Sequence, residues 1–298
     1  MLPSATEMVC ALGLENELVG ISHECDYPPE VRSKPQVVRA VIDTIHMTPL
    51  EIDNAISEKI RQGQSIYEVN AEVLRTVAPD LILTQSLCDV CAPSGNEATQ
   101  ALASLPYPPQ VLYLTPHSLS DIWDNLLEIG RAIGREAAAH QKIKEYGERL
   151  ERVAAITRTL PTVRMTFLEW LDPPFNAGHW VPEMARIAGG HDPLGNEGKD
   201  SFRVGWDAIV NAQPDILLIS PCGYHTADAV QQIGLLKNRN GWNSIPAVQK
   251  KQVYALDASS YFARPGPRVV EGVELLAHLF HPAHFSWSGP ADAFHRLD

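Results

Sequence analysis

The sequence has no run of 18 apolar residues, so no segment reads as a bilayer-spanning helix. It has no excess of positive charge: 24 Lys and Arg against 36 Asp and Glu leave a formal net charge of −12. A nucleic-acid partner needs a basic stripe and an anionic membrane surface repels an acidic one, so the balance argues against both partner classes. Cysteine is scarce and odd in number, five spread through the chain, which does not fit a paired disulfide framework. The opening MLPSATEMVCALGL has neither a basic n-region nor a cleavage site. As written, the chain reads as cytoplasmic. Catalytic signatures are also missing: there is no Ser-His-Asp order, no phosphate loop and no HExxH. A binding protein rather than an enzyme is expected.

What is present is an α/β grammar. The 298 residues suffice for one large or two medium domains, with 45% hydrophobic and 20% charged residues, as in ordinary globular chains. Continuous apolar runs at Leu18–Ser22, Leu81–Thr84, Val111–Leu114, Val163–Glu169, Ile216–Ile219 and Val253–Leu256 read as strands covered on both faces. Helical patterns fall at Pro49–Arg61, Ala71–Val77, Val181–Ala188, Trp206–Ala212 and Val269–Phe280. The alternation predicts two Rossmann-like lobes with mostly parallel sheets. The phrases APDLILTQS and QPDILLISP repeat one another, as two similar lobes require. Between them lies a helical region, with breaks expected at Gly130 and Gly134. The stretch Arg135–Ile156, about 22 residues, makes a rod of roughly 33 Å that could join the lobes. The expected divisions are 1–118, 119–157 and 158–298, the tail 281–298 being unassigned. Ser4-x-x-Glu7 reads as a capping box with only Met1–Pro3 before it. Later units place a strand before such a helix, so a first strand is expected upstream, and a leader with it would make the location periplasmic or membrane-associated.

Ligands of open parallel sheets bind beyond the carboxyl ends of the strands. The segments there are unusual. His23, Cys25 and Asp26 follow the first strand, and Cys88 and Cys91 follow LILT. Thr115-Pro116-His117 follows VLYL. Glu169, Trp170, His179 and Trp180 come at and after VRMTFLE. Cys222 and Tyr224 follow ILLI, and Tyr261, Phe262, Arg264 and Arg268 follow VYAL. Four of the five cysteines sit in these loops, while Cys10 lies within a helix and reads as core. Tyr67 precedes the N-cap Asn70 on the same edge. If the lobes face each other, these loops line one cleft.

Each group has competing readings. The pair Cys88-x-x-Cys91 is a metal knuckle, a redox dithiol at a helix N-terminus (Asn96–Leu105), or a small-residue lining that leaves room for a large ligand. The last is the working answer. A zinc or iron site would draw on His23, Cys25, Cys88, Cys91 and Cys222. His23 and His179 are axial ligands to a cobalt or iron centre, or hydrogen-bonded neutral residues. Trp170, Trp180, Tyr67, Tyr224, Tyr261 and Phe262 stack on a planar macrocycle, or pack at loop bases. Arg264 and Arg268 bond ligand amides or carboxylates, or hold their own loop. Glu24, Asp26, Glu169 and Asp172 form an acid/base set, or Asp26 simply starts a turn. A ferric siderophore would need several clustered arginines, and these loops offer only Arg264 and Arg268.

The phrases LPSATEMVCALGL, SHECDYPPEV, PDLILTQSLCDVCAPS, GGHDPLG, PDILLISPCGY and YFARPGPRVVEGVELLAHLFHP resemble the cobalamin-binding branch of the periplasmic-binding-protein family, from Leu2 to about Pro282. The branch serves ABC importers for corrinoids and ferric siderophores. The resemblance implies two Rossmann-like lobes joined by a single long helix and a corrinoid (cobalamin-like) ligand held between them. It also implies an ABC transporter permease as partner. A monomer is expected. Family members carry a leader, and they dock through an acidic residue on each lobe; neither is matched by motif here.

Overall fold

The computed structural model describes residues 1–44, 46–85, 102 and 105–297. Cys88, Cys91 and most of the helix expected over Asn96–Leu105 lie outside the described residues. The chain forms two compact units: residues 1–116 with 121–143, and residues 117–120 with 144–298.

In the first unit, β1 (Ile21–Ser22), β2 (Gln36–Ala40) and β3 (Tyr67–Val69) form one sheet, parallel then antiparallel. β4 (Leu81–Gln85) and β5 (Gln110–Leu114) form a parallel pair. Two helices occupy the expected stretches, α2 (Pro49–Arg61) and α3 (Ala71–Val77), and α1 (Pro3–Ala11) precedes them. α2 opens with a true capping box, Thr48 accepting from the Glu51 N–H while the Glu51 carboxylate accepts from the Thr48 N–H. Asn70 caps α3 through the Val73 N–H. The capping box expected at Ser4 is not formed. Proline favours the first helical position, so α1 starts at Pro3 and leaves Ser4 inside it. β1 is also shorter than expected, because only Ile21 and Ser22 find partners on β2.

Two long helices follow, α4 (Leu119–Ala132) and α5 (Glu136–Thr157, 22 residues). Gly134, at φ +69°, marks the break between them. Gly130 does not break α4. Its missing side chain instead lets Ala139 approach, since a Cβ there would stand 2.6 Å from that of Ala139.

The second unit is built on β6 (Val163–Leu171), β11 (Ile216–Ile219) and β12 (Val253–Leu256), all parallel. β7 (Pro174–Asn176) and β13 (Phe294–Leu297) add antiparallel edges, and β9 (Gly190–His191) pairs with the start of β6. β8 (Gly178–His179) and β10 (Asn196–Glu197) pair separately. The unassigned tail thus ends in a strand. Every residue of β11 and β12 is buried, as strands covered on both faces must be. Around them stand α6 (Val181–Ile187), α7 (Trp206–Ala212), α8 (Thr226–Gln231), α9 (Gly234–Lys237), α10 (Pro246–Gln249), α11 (Ala258–Tyr261) and α12 (Val269–Phe280). One core cluster gathers Leu168, Ile209, Leu217, Ile219, Trp242, Ile245, Val253 and Ala255.

α12 packs so closely that a Cβ at Gly272 would stand 2.6 Å from both the Tyr261 carbonyl oxygen and Met184 Cε. Gly147 in α5 has nothing within 4 Å. Gly272→Ala should therefore destabilise the second unit by about 1–3 kcal/mol through overpacking. Gly147→Ala should stabilise by about 0.5–1 kcal/mol, the helix-propensity gain alone. Urea unfolding of the two variants checks both signs.

Candidate functional site

Because β6, β11 and β12 are parallel neighbours, their carboxyl ends share one edge of the second unit. Glu169 and Trp170 come at the end of β6, Cys222 and Tyr224 follow β11, and Asp257 follows β12. The Cys222 N–H donates to the Glu169 carbonyl oxygen at 2.9 Å. Trp170 and Tyr224 meet edge to face, with ring centroids 5.6 Å apart and planes at 68°, a favourable arrangement of aromatic quadrupoles. Both rings are half-buried, and Cys222 is exposed. Asp257 caps α11, accepting from the Ser260 N–H and hydroxyl at 2.8 Å each, and faces His225 Nδ1 at 3.1 Å. Burial pushes its carboxyl upward, but the hydrogen bonds from His225 and Ser260 outweigh burial and hold it below its ordinary value.

A second group lies after β7, on the short strand β8 and the turn that covers it. His179 is a non-glycine residue at φ +52°, a left-handed conformation that costs energy and survives only where its surroundings impose it. Here they do. The His179 N–H donates to the Lys199 carbonyl at 2.6 Å, and the Gly198 N–H donates to the His179 carbonyl at 2.9 Å. Buried Asn176 accepts from the Phe202 N–H at 2.7 Å and donates to the Leu194 carbonyl at 2.6 Å. Gly178 has no Cβ, and one would stand 2.8 Å from the Asp200 carbonyl carbon and the Lys199 oxygen. The turn at 199–201 therefore closes directly over Gly178 and sets Asp200 beside His179, Oδ1 to Nε2 at 3.1 Å. The His117 ring stands 5.6 Å from that of His179. Burial, the largest influence, pulls the His179 pKa below its ordinary value, and His117 adds to this while Asp200 opposes it.

Between the two groups stands Glu169. Its carboxylate accepts from the Gly178 N–H at 3.0 Å and from the Ser201 hydroxyl. Withdrawal from water outweighs these bonds and pushes its pKa up to about 7. Burial likewise raises Asp192 to about 6, against hydrogen bonds from the Leu194 and Phe167 N–H groups.

The remaining predicted residues are placed as follows. Trp180 is 5% exposed, its indole N–H donating to the Phe262 carbonyl at 2.8 Å. Tyr261 and Phe262 are buried, ring against ring, and Arg268 lies over Tyr261 with Cζ 6.0 Å from the centroid. Trp180, Tyr261 and Phe262 thus take the packing role rather than presenting an open face. Arg264 is half-buried. In the first unit His23 and Tyr67 come together, ring centroids 6.0 Å apart. Cys25 is 4% exposed, Sγ 3.2 Å from Thr6 Oγ1, and packs with Ile21 and Val31 as a small hydrophobe would. Asp26 is half-buried beside it in sequence. Among the described residues, three metal-ligating side chains converge at His117, His179 and Asp200. His23, Cys25 and Cys222 are not part of that group. Among the described residues, no helix is long and apolar enough to cross a membrane.

The sequence profile of the family described as periplasmic binding protein matches residues 2–260. The chain belongs to the periplasmic binding protein family. Among curated relatives, the vitamin B12-binding protein of Vibrio vulnificus strain CMCP6 is 24% identical over 284 residues, 94% of this chain and 88% of that protein. An ABC transporter substrate-binding lipoprotein of Bacillus subtilis strain 168 is 26% identical over 297 residues, 96% of this chain and 80% of its own length. Among solved structures, a periplasmic heme-binding protein from Pseudomonas aeruginosa superposes with a TM-score of 0.72 at 18% identity, covering 99% of this chain and 95% of its own. The periplasmic vitamin B12-binding protein BtuF of Vibrio cholerae gives 0.66 at 21%, covering 95% and 96%. These structural likenesses establish the periplasmic binding protein fold, two α/β lobes with mostly parallel sheets.

In this member of the periplasmic binding protein family, sequence reasoning placed His117 and His179 in strand-end loops but missed Asp200. No spacing rule joins the three. The available signal was Gly178 before His179, a residue whose missing Cβ invites close backbone approach.

The Glu169 carboxyl gives a pH prediction. With a folded-state pKa of about 7 against an ordinary 4.5, the folded chain holds this proton longer than the unfolded one. Its contribution is fully present below about pH 4.5 and is lost as pH rises through about 7. Glu169→Gln keeps the acceptor oxygen for Gly178 and Ser201. It should flatten the fall in urea-unfolding stability over that window by about 1–3 kcal/mol, leaving a smaller slope from Asp192. An unchanged slope in the variant refutes the assignment.

Proposed function

We propose that this chain binds a corrinoid or related tetrapyrrole, without turnover, as the substrate-binding component of an ABC importer. The observation that carries the reading is the Trp170–Tyr224 pair at the carboxyl ends of neighbouring parallel strands. Two half-buried rings on a strand-end edge suit a large planar ligand, which offers extended apolar faces and a polar rim. Glu169, Cys222 and Arg264 supply polar groups in the loops around that edge. The near-full-length likeness to a vitamin B12-binding protein and to a substrate-binding lipoprotein supports both the ligand class and the importer role. An importer partner of this kind places the working site outside the cytoplasm.

A ferric siderophore with carboxylate or catecholate groups suits the same loops less well. Of the two arginines there, Arg268 is buried under Tyr261, which leaves Arg264. Heme is the closer competitor, because several solved neighbours are heme-binding proteins.

Calorimetric titration with hydroxocobalamin should give one saturable site, with a shift in the visible spectrum. Trp170→Ala should weaken it at least tenfold, the loss expected when a stacked aromatic platform is removed. Hemin titrated in parallel separates the two tetrapyrroles. Saturable hemin binding without corrinoid binding overturns the corrinoid reading, and failure of both ligands overturns the tetrapyrrole class.

A further inference from the structure

We propose that His117, His179 and Asp200 form a binding site for a divalent transition-metal ion, separate from any tetrapyrrole site. One ligating atom from each residue lies within 4.8 Å of the other two. Two imidazole nitrogens and one carboxylate oxygen are a donor set that suits zinc and its first-row neighbours and leaves a position for water. Two ligands of a tetrahedral zinc ion, at bonds of about 2.1 Å, stand ~3.4 Å apart. The widest pair here, within 4.8 Å, must therefore close by up to roughly 1.4 Å. The Asp200 side chain is 69% exposed and can supply that movement.

A second observation points to a missing partner. His179 Nε2 is buried and makes no hydrogen bond, although Asp200 Oδ1 stands 3.1 Å away. Asp200 Oδ1 is within reach of this nitrogen without satisfying it. A buried imidazole nitrogen beside a carboxylate oxygen, with a second imidazole at hand, is the arrangement of ligands that share one ion.

The three donors are also built into the fold rather than placed on free loops. The residues that set His179 and Asp200 are the backbone pairs of 179 with 198 and 199, the Asn196 amide donating to the Asp200 carbonyl at 2.8 Å, and Gly178 beneath the turn. His117 precedes α4, whose Leu119 N–H donates to Glu183 Oε2 at 2.9 Å. Glu183 lies in the first turn of α6, which begins directly after the His179 loop. One tether therefore fixes the His117 segment beside that loop. The metal centre of a macrocycle leaves one coordination position on each face, so it cannot accept three donors converging from one side. A small ion can.

The test uses the full chain, stripped of metal by a chelator and titrated with ZnCl2 by calorimetry, with Co2+ as a spectroscopic reporter. One Zn2+ per chain and visible bands for bound Co2+ are expected, with no response to MgCl2. His117→Ala and Asp200→Asn should each weaken Zn2+ at least tenfold, and His179→Ala at least a hundredfold. Metal-free unfolding midpoints control for folding. Asp200→Asn changes an exposed side chain and should leave the midpoint unchanged, so the proposal stays testable if a histidine variant fails to fold. Absence of saturable Zn2+ binding by the parent chain overturns the proposal, as does unchanged affinity in both His117→Ala and Asp200→Asn. Hydroxocobalamin titration of Asp200→Asn keeps the two sites apart: unaltered corrinoid binding with weakened zinc is the expected pattern, and equal loss of both overturns the separation.

Discussion

The second unit depends on the register between β6 and β11. Ile216 pairs with Met165 and Ile219 with Leu168, after which β11 ends while β6 runs on to Leu171. The last residues of β6 thus overhang their neighbour. Their free edge is taken up on the other side by β7, with Trp170 opposite Phe175 and Leu171 opposite Pro174. On the β11 side the overhang meets the loop that leaves β11, and the Cys222 N–H closes onto the Glu169 carbonyl. A parallel sheet sends every strand exit to one edge. The overhang makes that edge a ledge, on which Trp170 and Tyr224 can touch. A register shifted by one residue would turn Trp170 to the opposite face and dissolve the pair.

The same ledge organises the His179 loop. The hairpin from β6 to β7 reverses the chain, and β7 delivers Ala177 and Gly178 back beside Glu169. The Gly178 N–H is then captured by the Glu169 carboxylate. That capture takes a carboxyl group out of water, and the lost hydration appears as its raised pKa. Asn176, fully buried, offsets its own desolvation by bonding both ends of the 194–202 segment. Polar groups here hold loops rather than surface charge, and they explain how His179 remains in a conformation that few side chains adopt.

Much of the architecture was legible from local pattern. LILT, ILLI and VYAL are short apolar runs bounded by turn-formers, and each became a strand. Asn70 announced its helix because a cap is a local hydrogen bond with a local spelling. Ser4 misled for the same kind of reason: its spelling was right, but Pro3 claimed the first helical position. The pairs β8 with β10 and β12 with β13 were not legible. Each short strand is defined by a partner far along the chain, and FHRL has no apolar run to advertise itself. Trp180 and Tyr261 were read as candidates for stacking, since a strand-end position says which edge a residue occupies but not whether its ring turns inward. Cys25 shows the same limit. His117, His179 and Asp200 share no motif, because three elements bring them together.

Glu169 is the joint between the two chemistries. Its backbone oxygen holds the loop that carries Tyr224, and its carboxylate holds the loop that carries His179. A single residue therefore sets the spacing of the aromatic pair and of the imidazole group from one strand end. What distinguishes the two is the shape of the donors. Trp170 and Tyr224 offer ring faces and edges, which suit a broad apolar surface and gain little from a point charge. His117, His179 and Asp200 offer lone pairs converging on a small volume, which suit an ion and cannot reach around a macrocycle. Built on one frame but complementary to different objects, the two groups can be occupied independently, and neither chemistry requires the other to be present.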